Sequence, residues 1–320
     1  IAAGGTGSGK TVSVMVIAEE LLKRKIPVIV FDPTAQWTGF IRPCNLKPML
    51  SLYSKFGLKR TDARGFRTNV ILVEDPDMPL DLKKYMKPGE ITVFVMNRLK
   101  PAEHDKFVRR SVQAVFDMRP EESKQLKLLI VWDEVHRLLP KYGGKGGYVA
   151  IERACREFRK WGIGVAVISQ VLQDFKGAIR ANIANEIQLR TKYEGDINRV
   201  RTKYGGEFAS KVTKLTIGTA LFQNPEYNYG KPWFITFRPL LHSPFALTDE
   251  EIDRINRSGL GIVYFKDPQD NLELTRGNKY LEEYYQKLAE KLAEGKDLET
   301  AIREILGEEA FITDHPVVLE

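Results

Sequence analysis

Eight residues near the start of the chain, Gly4-Gly5-Thr6-Gly7-Ser8-Gly9-Lys10-Thr11, carry the spacing G-x-x-x-x-G-K-[ST]. Each residue type answers a chemical need. The glycines let the backbone curl until successive N–H groups face phosphate oxygens. A helix expected over Thr11–Lys23 adds its positive N-terminal end. Lys10 supplies a point charge between the β- and γ-phosphates, and the Thr11 hydroxyl is a magnesium ligand. The spacing therefore predicts ATP as the nucleotide, with Mg²⁺ beside it.

A second set of polar residues completes the chemistry. The apolar run Leu128–Trp132 ends in Asp133-Glu134. A buried strand that delivers a carboxylate at its C-terminal end puts it in the crevice where open α/β sheets bind ligands. Asp133 then either holds the magnesium water shell or caps a helix over Val135–Leu139. Glu134 is placed as a general base for an attacking water, or is a plain surface acid. A base beside a metal carboxylate favours a hydrolase over a kinase, whose nucleophile comes from its substrate. Gly164–Ile168 is a further apolar run and ends in Ser169-Gln170, which aims an amide at the γ-phosphate. Arg153, Arg156 and Arg159 are spaced by three and share a helix face. One of them can face a neighbouring molecule's nucleotide, or the face is simply solvated.

These residues need a scaffold that brings strand ends together. Short apolar runs at Pro27–Phe31, Ile91–Met96, Leu126–Trp132 and Gly164–Ile168 predict buried strands, with further strands at Asn185–Arg190, Thr216–Phe222 and an edge strand at Trp233–Phe237. Helices are expected over Thr11–Lys23, with Met15, Ala18, Leu21 and Leu22 on one face, and over His104–Phe116 and Ile151–Trp161. The alternation argues for an α/β fold with a mostly parallel sheet covered on both faces. Residues 1–247 form the main domain, with a Pro-rich, basic insertion at about 40–90 that holds one strand, Asn69–Val73. Residues 248–320 form a helical C-terminal extension expected to pack on it, with one amphipathic stripe over Tyr280–Ala293 and a second helix after Asp297. Only Ile1–Ala3 precede the first glycine, so the sequence is expected to begin inside its first strand.

Composition narrows the function classes. The 320 residues are 43% hydrophobic and 28% charged, which suits a globular protein with a core. No run approaches the roughly 20 apolar residues of a membrane span, and no signal-like segment opens the chain. Cys44 and Cys155 are too few for a disulfide framework or a zinc site. These features predict a cytoplasmic protein, at most peripheral to a membrane through a partner complex. The net charge is +7, yet residues 266–320 carry −7, so residues 1–265 carry +14. A basic body predicts a polyanionic partner, with nucleic acid the first candidate.

The ordered series GGTGSGKT, PVIVFDPTAQW, LLIVWDE and FRKWGIGVAVISQ resembles the HerA/FtsK superfamily of ring-forming motor ATPases over roughly residues 1–240. Within it the chain looks most like the HerA-like and type IV secretion branch, including conjugative coupling proteins and archaeal DNA-import ATPases. The resemblance implies a RecA-like P-loop NTPase fold and a homo-oligomer, most often a hexamer, that moves DNA. It also implies roles: Lys10 and Thr11 for Walker A, Asp133 and Glu134 for Walker B, Gln170 as sensor, and Arg159 as the arginine given in trans. Asp32 matches the Asp-Pro after the second strand, where a turn-stabilising role is equally open. Val171-Leu172 stand where many HerA-like proteins carry Arg-Pro. DNA contacts are expected from loops at Lys141–Gly147 and Val171–Arg180, through Lys141, Lys145, Lys176 and Arg180. Two other readings stay open. One is a secretion or pilus ATPase acting on protein, and the other is a monomeric P-loop NTPase or kinase.

Overall fold

A computed structural model describes residues 1–138, 146–171 and 178–257, together with single positions between 287 and 304. By its contacts the chain divides into two units, Ile1–Val263 and Tyr264–Glu320, and every element described below lies in the first. The amphipathic stripe and second helix expected after residue 280 fall almost wholly outside the described residues.

Nine strands among the described residues make one sheet. They are β1 (Ala2–Ala3), β2 (Val28–Asp32), β3 (Arg67–Leu72), β4 (Glu90–Val95), β5 (Ser123–Trp132), β6 (Trp161–Ser169), β7 (Glu186–Gln188), β8 (Thr219–Gln223) and β9 (Trp233–Thr236). Their order is β3-β4-β2-β5-β6-β1-β7-β8-β9. The first seven in that order pair in parallel, and β8 and β9 add an antiparallel edge. The expected RecA-like α/β architecture is therefore what the structure shows. Strand β3 comes from the basic segment at 40–90, which thus completes one edge of the sheet.

The helices are α1 (Lys10–Lys23), a short α2 (Lys47–Leu50), α3 (Pro101–Asp117), α4 (Gly147–Glu157), a short α5 (Ala178–Ala181), α6 (Glu194–Tyr204), α7 (Gly206–Val212) and α8 (Asp249–Arg257). Helix α3 starts where Pro101 sits at its first turn and the Lys100 N–H donates to Glu103 at 2.8 Å. Asp105, buried in α3, caps its neighbour: the N–H groups of Gly146 and Gly147 donate to it at 3.1 and 2.8 Å as α4 begins. The helix expected over Ile151–Trp161 stops earlier. Phe158–Lys160 tighten into a 3-10 turn and Trp161 already opens β6.

Strand register is set by aromatic rings. Phe31 of β2 lies beside Phe94 of β4 and Trp132 of β5. Its ring stacks on theirs at centroid distances of 5.3 and 5.8 Å. Such pairs add about 0.5–1.5 kcal/mol each beyond their burial. The next residue along each of two strands is an acid, Asp32 on β2 and Asp133 after β5. The ladder that fills the core thus also sets two carboxylates side by side.

Candidate active site

The P-loop bridges β1 and α1 at the carboxyl edge of the parallel strands. The Gly5 N–H donates to the Arg190 carbonyl at 3.0 Å, and the Ser8 N–H to the Gly5 carbonyl at 3.1 Å. A side chain at Gly4 has no room, because a Cβ there would sit 2.6 Å from Ser8 Oγ and 2.9 Å from Leu189 Cβ. Gly9 holds the left-handed φ of 92° that turns the loop into α1. No side chain caps α1, and no acid occupies its first turn. Ser8 Oγ is buried without a hydrogen-bond partner. A crowded loop, a bare helix N-terminus and an orphan hydroxyl are what a phosphate chain would satisfy. The predicted binding residues, Gly4, Gly5, Thr6, Gly7, Ser8, Gly9, Lys10 and Thr11, fit a triphosphate.

The acidic half sits opposite. Lys10 Nζ lies 3.2 Å from Glu134 Oε1, and Glu134 Oε2 lies 3.0 Å from His136 Nδ1. Burial raises the Glu134 carboxyl, but His136 and the Lys10 ammonium outweigh it and hold it below the ordinary range. Glu134 also carries a left-handed φ of 48°, which is costly for a side-chain-bearing residue. Strain of that kind is more at home in a working site than in a plain surface acid.

Asp133 is in a different condition. It is 5% exposed, and its oxygens accept the Glu134 N–H at 2.7 Å and the Trp37 indole N–H at 2.9 Å. Burial, then the nearby Asp32, pushes its carboxyl up to about 7. Among the described residues no basic side chain forms an ion pair with it. A buried acid without a counter-ion, near the Thr11 hydroxyl's helix, fits a divalent cation. Among the described residues no group of three or more His, Cys, Asp or Glu is arranged to hold a metal ion on its own. An ion here would be completed by phosphate oxygens and water, as magnesium prefers.

The open choice at Asp32 closes on the structural side. It is fully buried and accepts the Thr34 N–H at 2.8 Å, the Thr34 hydroxyl at 2.9 Å and the Trp37 N–H at 2.8 Å. It shapes the turn after β2. Gln170 follows β6, the strand between β1 and β5, so its backbone lies between the P-loop and Asp133.

The arginines separate. Arg153 lays its guanidinium 3.8 Å over the Phe116 ring and is a packing residue. Arg159 precedes β6, at the edge of the sheet opposite the P-loop. Its side chain is 83% exposed and meets Glu226 at 3.6 Å. The eight steps of β6 from Trp161 to Ser169, at ~3.3 Å each, separate the turn that holds Arg159 from the P-loop end of the sheet by roughly 26 Å. Lys141, Lys145 and Lys176 lie outside the described residues. Arg180 falls within α5, but its side chain is likewise not described. Trp37 closes the run PVIVFDPTAQW, but nothing in that run reveals its bond to Asp133, and His136 lies two residues beyond Asp133-Glu134 with no spacing that marks it.

Residues 3–40 match the family model described as "Helicase HerA, central domain", so the resemblance read from the sequence holds over the P-loop segment. No curated protein matches the chain. Among solved structures, the chain is similar to the genome packaging NTPase B204 from Sulfolobus turreted icosahedral virus 2 with ATP-gammaS, at 18% identity over 74% of this chain and 95% of that one, TM-score 0.45. It is similar to the pCW3 conjugation coupling protein TcpA, at 17% identity over 81% and 64%, TM-score 0.40. It is also similar to VirB4 of Thermoanaerobacter pseudethanolicus, at 13% identity over 78% and 90%, TM-score 0.43. No helix among the described residues is long and apolar enough to cross a membrane.

Proposed function

We propose that this chain is an ATP-hydrolysing motor of the HerA/FtsK kind. In this reading it works as a ring of identical subunits, most often six, and moves DNA. The observation that supports it best is the division of the machinery between two ends of one sheet. Lys10, Asp133 and Glu134 converge at the carboxyl edge, while Arg159 stands exposed roughly 26 Å away. An arginine so placed serves a neighbour's nucleotide and not its own.

The resting contacts suggest an order of events. Lys10 Nζ pairs with Glu134 Oε1 at 3.2 Å. A γ-phosphate competes for the ammonium, and Glu134 is released to take a proton from water while His136 keeps it in place. Thr11 and Asp133 would hold magnesium with the phosphates, where the ion neutralises charge on the transferring group. Gln170, at the end of the intervening strand, orients the water or senses the γ-phosphate. Arg159 from the next subunit stabilises the transition-state charge, a contribution of ~10³–10⁵ in rate. Lys141, Lys145, Lys176 and Arg180 would meet DNA phosphates without reading bases. A membrane complex as a further partner is compatible with this reading.

The test is the ATPase rate per subunit against protein concentration, with and without DNA. The rate should rise steeply with assembly and rise again with DNA, the second effect weakening with salt. A monomer that hydrolyses ATP at full rate, indifferent to DNA, would sink the motor reading. Stimulation by a protein partner and not by DNA would move it to the secretion class.

A further inference from the structure

Trp37 is fully buried in the turn after β2, yet it is bonded to both acidic strand ends. Its backbone N–H donates to Asp32 Oδ2 at 2.8 Å and its indole N–H to Asp133 Oδ2 at 2.9 Å. The two acids end adjacent parallel strands, and charge on either disfavours charge on the other. The other donor to Asp133 is the N–H of Glu134, the very next residue. The indole is therefore the bond that fixes the carboxylate from outside its own turn.

The indole is itself held from behind. Its ring stacks on Phe40 at 5.6 Å, and Phe40 stacks on His242 at 3.6 Å. His242 Nδ1 lies 2.6 Å from Glu19, a buried residue of α1. A continuous line of packed groups thus runs from the P-loop helix to Asp133 by way of Trp37. Phenylalanine would keep most of this packing and lose only the donor.

We propose that Trp37 is a positioning residue for the magnesium site, its indole N–H locking the Asp133 carboxylate in the orientation that serves the ion. The inference rests on the ATPase reading above. A hydrogen bond to a charged group in a dry site is among the stronger ones, so its loss should show as about a tenfold or larger change in ion requirement.

The experiment follows binding, not turnover. A fluorescent, non-hydrolysable ATP analogue is titrated into wild type and Trp37→Phe, first in EDTA and then at rising free Mg²⁺. Trp161→Phe, at the far end of β6, is the control. Affinity in EDTA should agree within about twofold for all three. The Mg²⁺ concentration for half the magnesium-dependent tightening should rise about tenfold or more in Trp37→Phe only. An unchanged Mg²⁺ requirement in Trp37→Phe overturns the assignment and leaves the ATPase reading standing. A wild type whose nucleotide binding ignores Mg²⁺ overturns both. If Trp37→Phe does not fold, wild type labelled with ¹⁵N-tryptophan decides the matter. The indole signal that moves in Asp133→Asn should be the one that moves when Mg²⁺ joins the analogue. If that signal stays still while nucleotide signals report binding, the proposal fails.

Discussion

Two glutamates sit close to the ends of the same helix, and they live differently. Glu19, late in α1, is fully buried and saturated. It accepts the N–H groups of Leu241 and His242 at 2.7 and 3.0 Å, meets His242 Nδ1 at 2.6 Å, and pairs with Arg238 at 2.5 Å. Glu134, facing the start of α1, has two basic neighbours, Lys10 at 3.2 Å and His136 at 3.0 Å, a strained backbone, and an Oε2 without an aligned hydrogen bond. Burial opposes ionisation in both, and basic neighbours overcome it in both. The difference is in what remains to be done. The Glu19 cluster is finished and fastens the 238–243 segment to α1. The Glu134 cluster is incomplete, strained and replaceable by a ligand, which is the condition of a working site.

The sharpest way to break this comparison is to neutralise each acid in turn. Glu134→Gln should lower turnover by ~10²–10⁴-fold while nucleotide binding and thermal midpoint stay near wild type. Glu19→Gln should do the reverse. It removes the buried charge shared by Arg238 and His242, leaving Arg238 its pair with Glu20 at 2.6 Å, and should cost about 1–3 kcal/mol in denaturant melts, with turnover per folded molecule little changed. If Glu134→Gln proves the more damaging to stability, the contrast is lost.

Acid titration sharpens the same point. The folded Glu19 carboxyl is held below the ordinary 4.5, so its contribution to stability is complete above that pH. It drains away as pH falls through the lowered folded value. Glu19→Gln should flatten that acid limb of the melting profile. The smallest expected effect is at Arg153→Ala. Losing the stack on Phe116 should cost about 0.5–1 kcal/mol and leave turnover per folded subunit intact.

What the sequence made legible was local. The P-loop spacing, the apolar runs of the central strands and the acids that end them are all read within a dozen residues, and each stands where expected. Illegible were the partnerships made by folding. Trp37 reaches Asp133 across 96 residues, and Leu241 reaches Glu19 across 222. No periodicity records such pairs. Helices α6 and α7 leave little trace in the sequence, because their buried apolar residues, Val200, Ala209 and Val212, are few and form a satellite core with Leu215 and Leu221. Helical spacing continues through Trp161, so the sequence alone puts it in a helix. The 3-10 turn at Phe158–Lys160 is what ends α4 there. Asp32 shows the limit from the other side, since one Asp-Pro spelling served two roles until its three donors were seen.

Lys10 and Arg159 stand at opposite ends of one sheet, so damage to each can be carried by different molecules. Lys10→Ala and Arg159→Ala chains should each be nearly dead when pure. If the proposed ring assembles, chains blended in equal amounts should form some seams that join an intact loop on one chain to an intact guanidinium on the next. Activity reborn from two silent preparations, in a share set by chance pairing, is a signature that no self-sufficient enzyme can imitate.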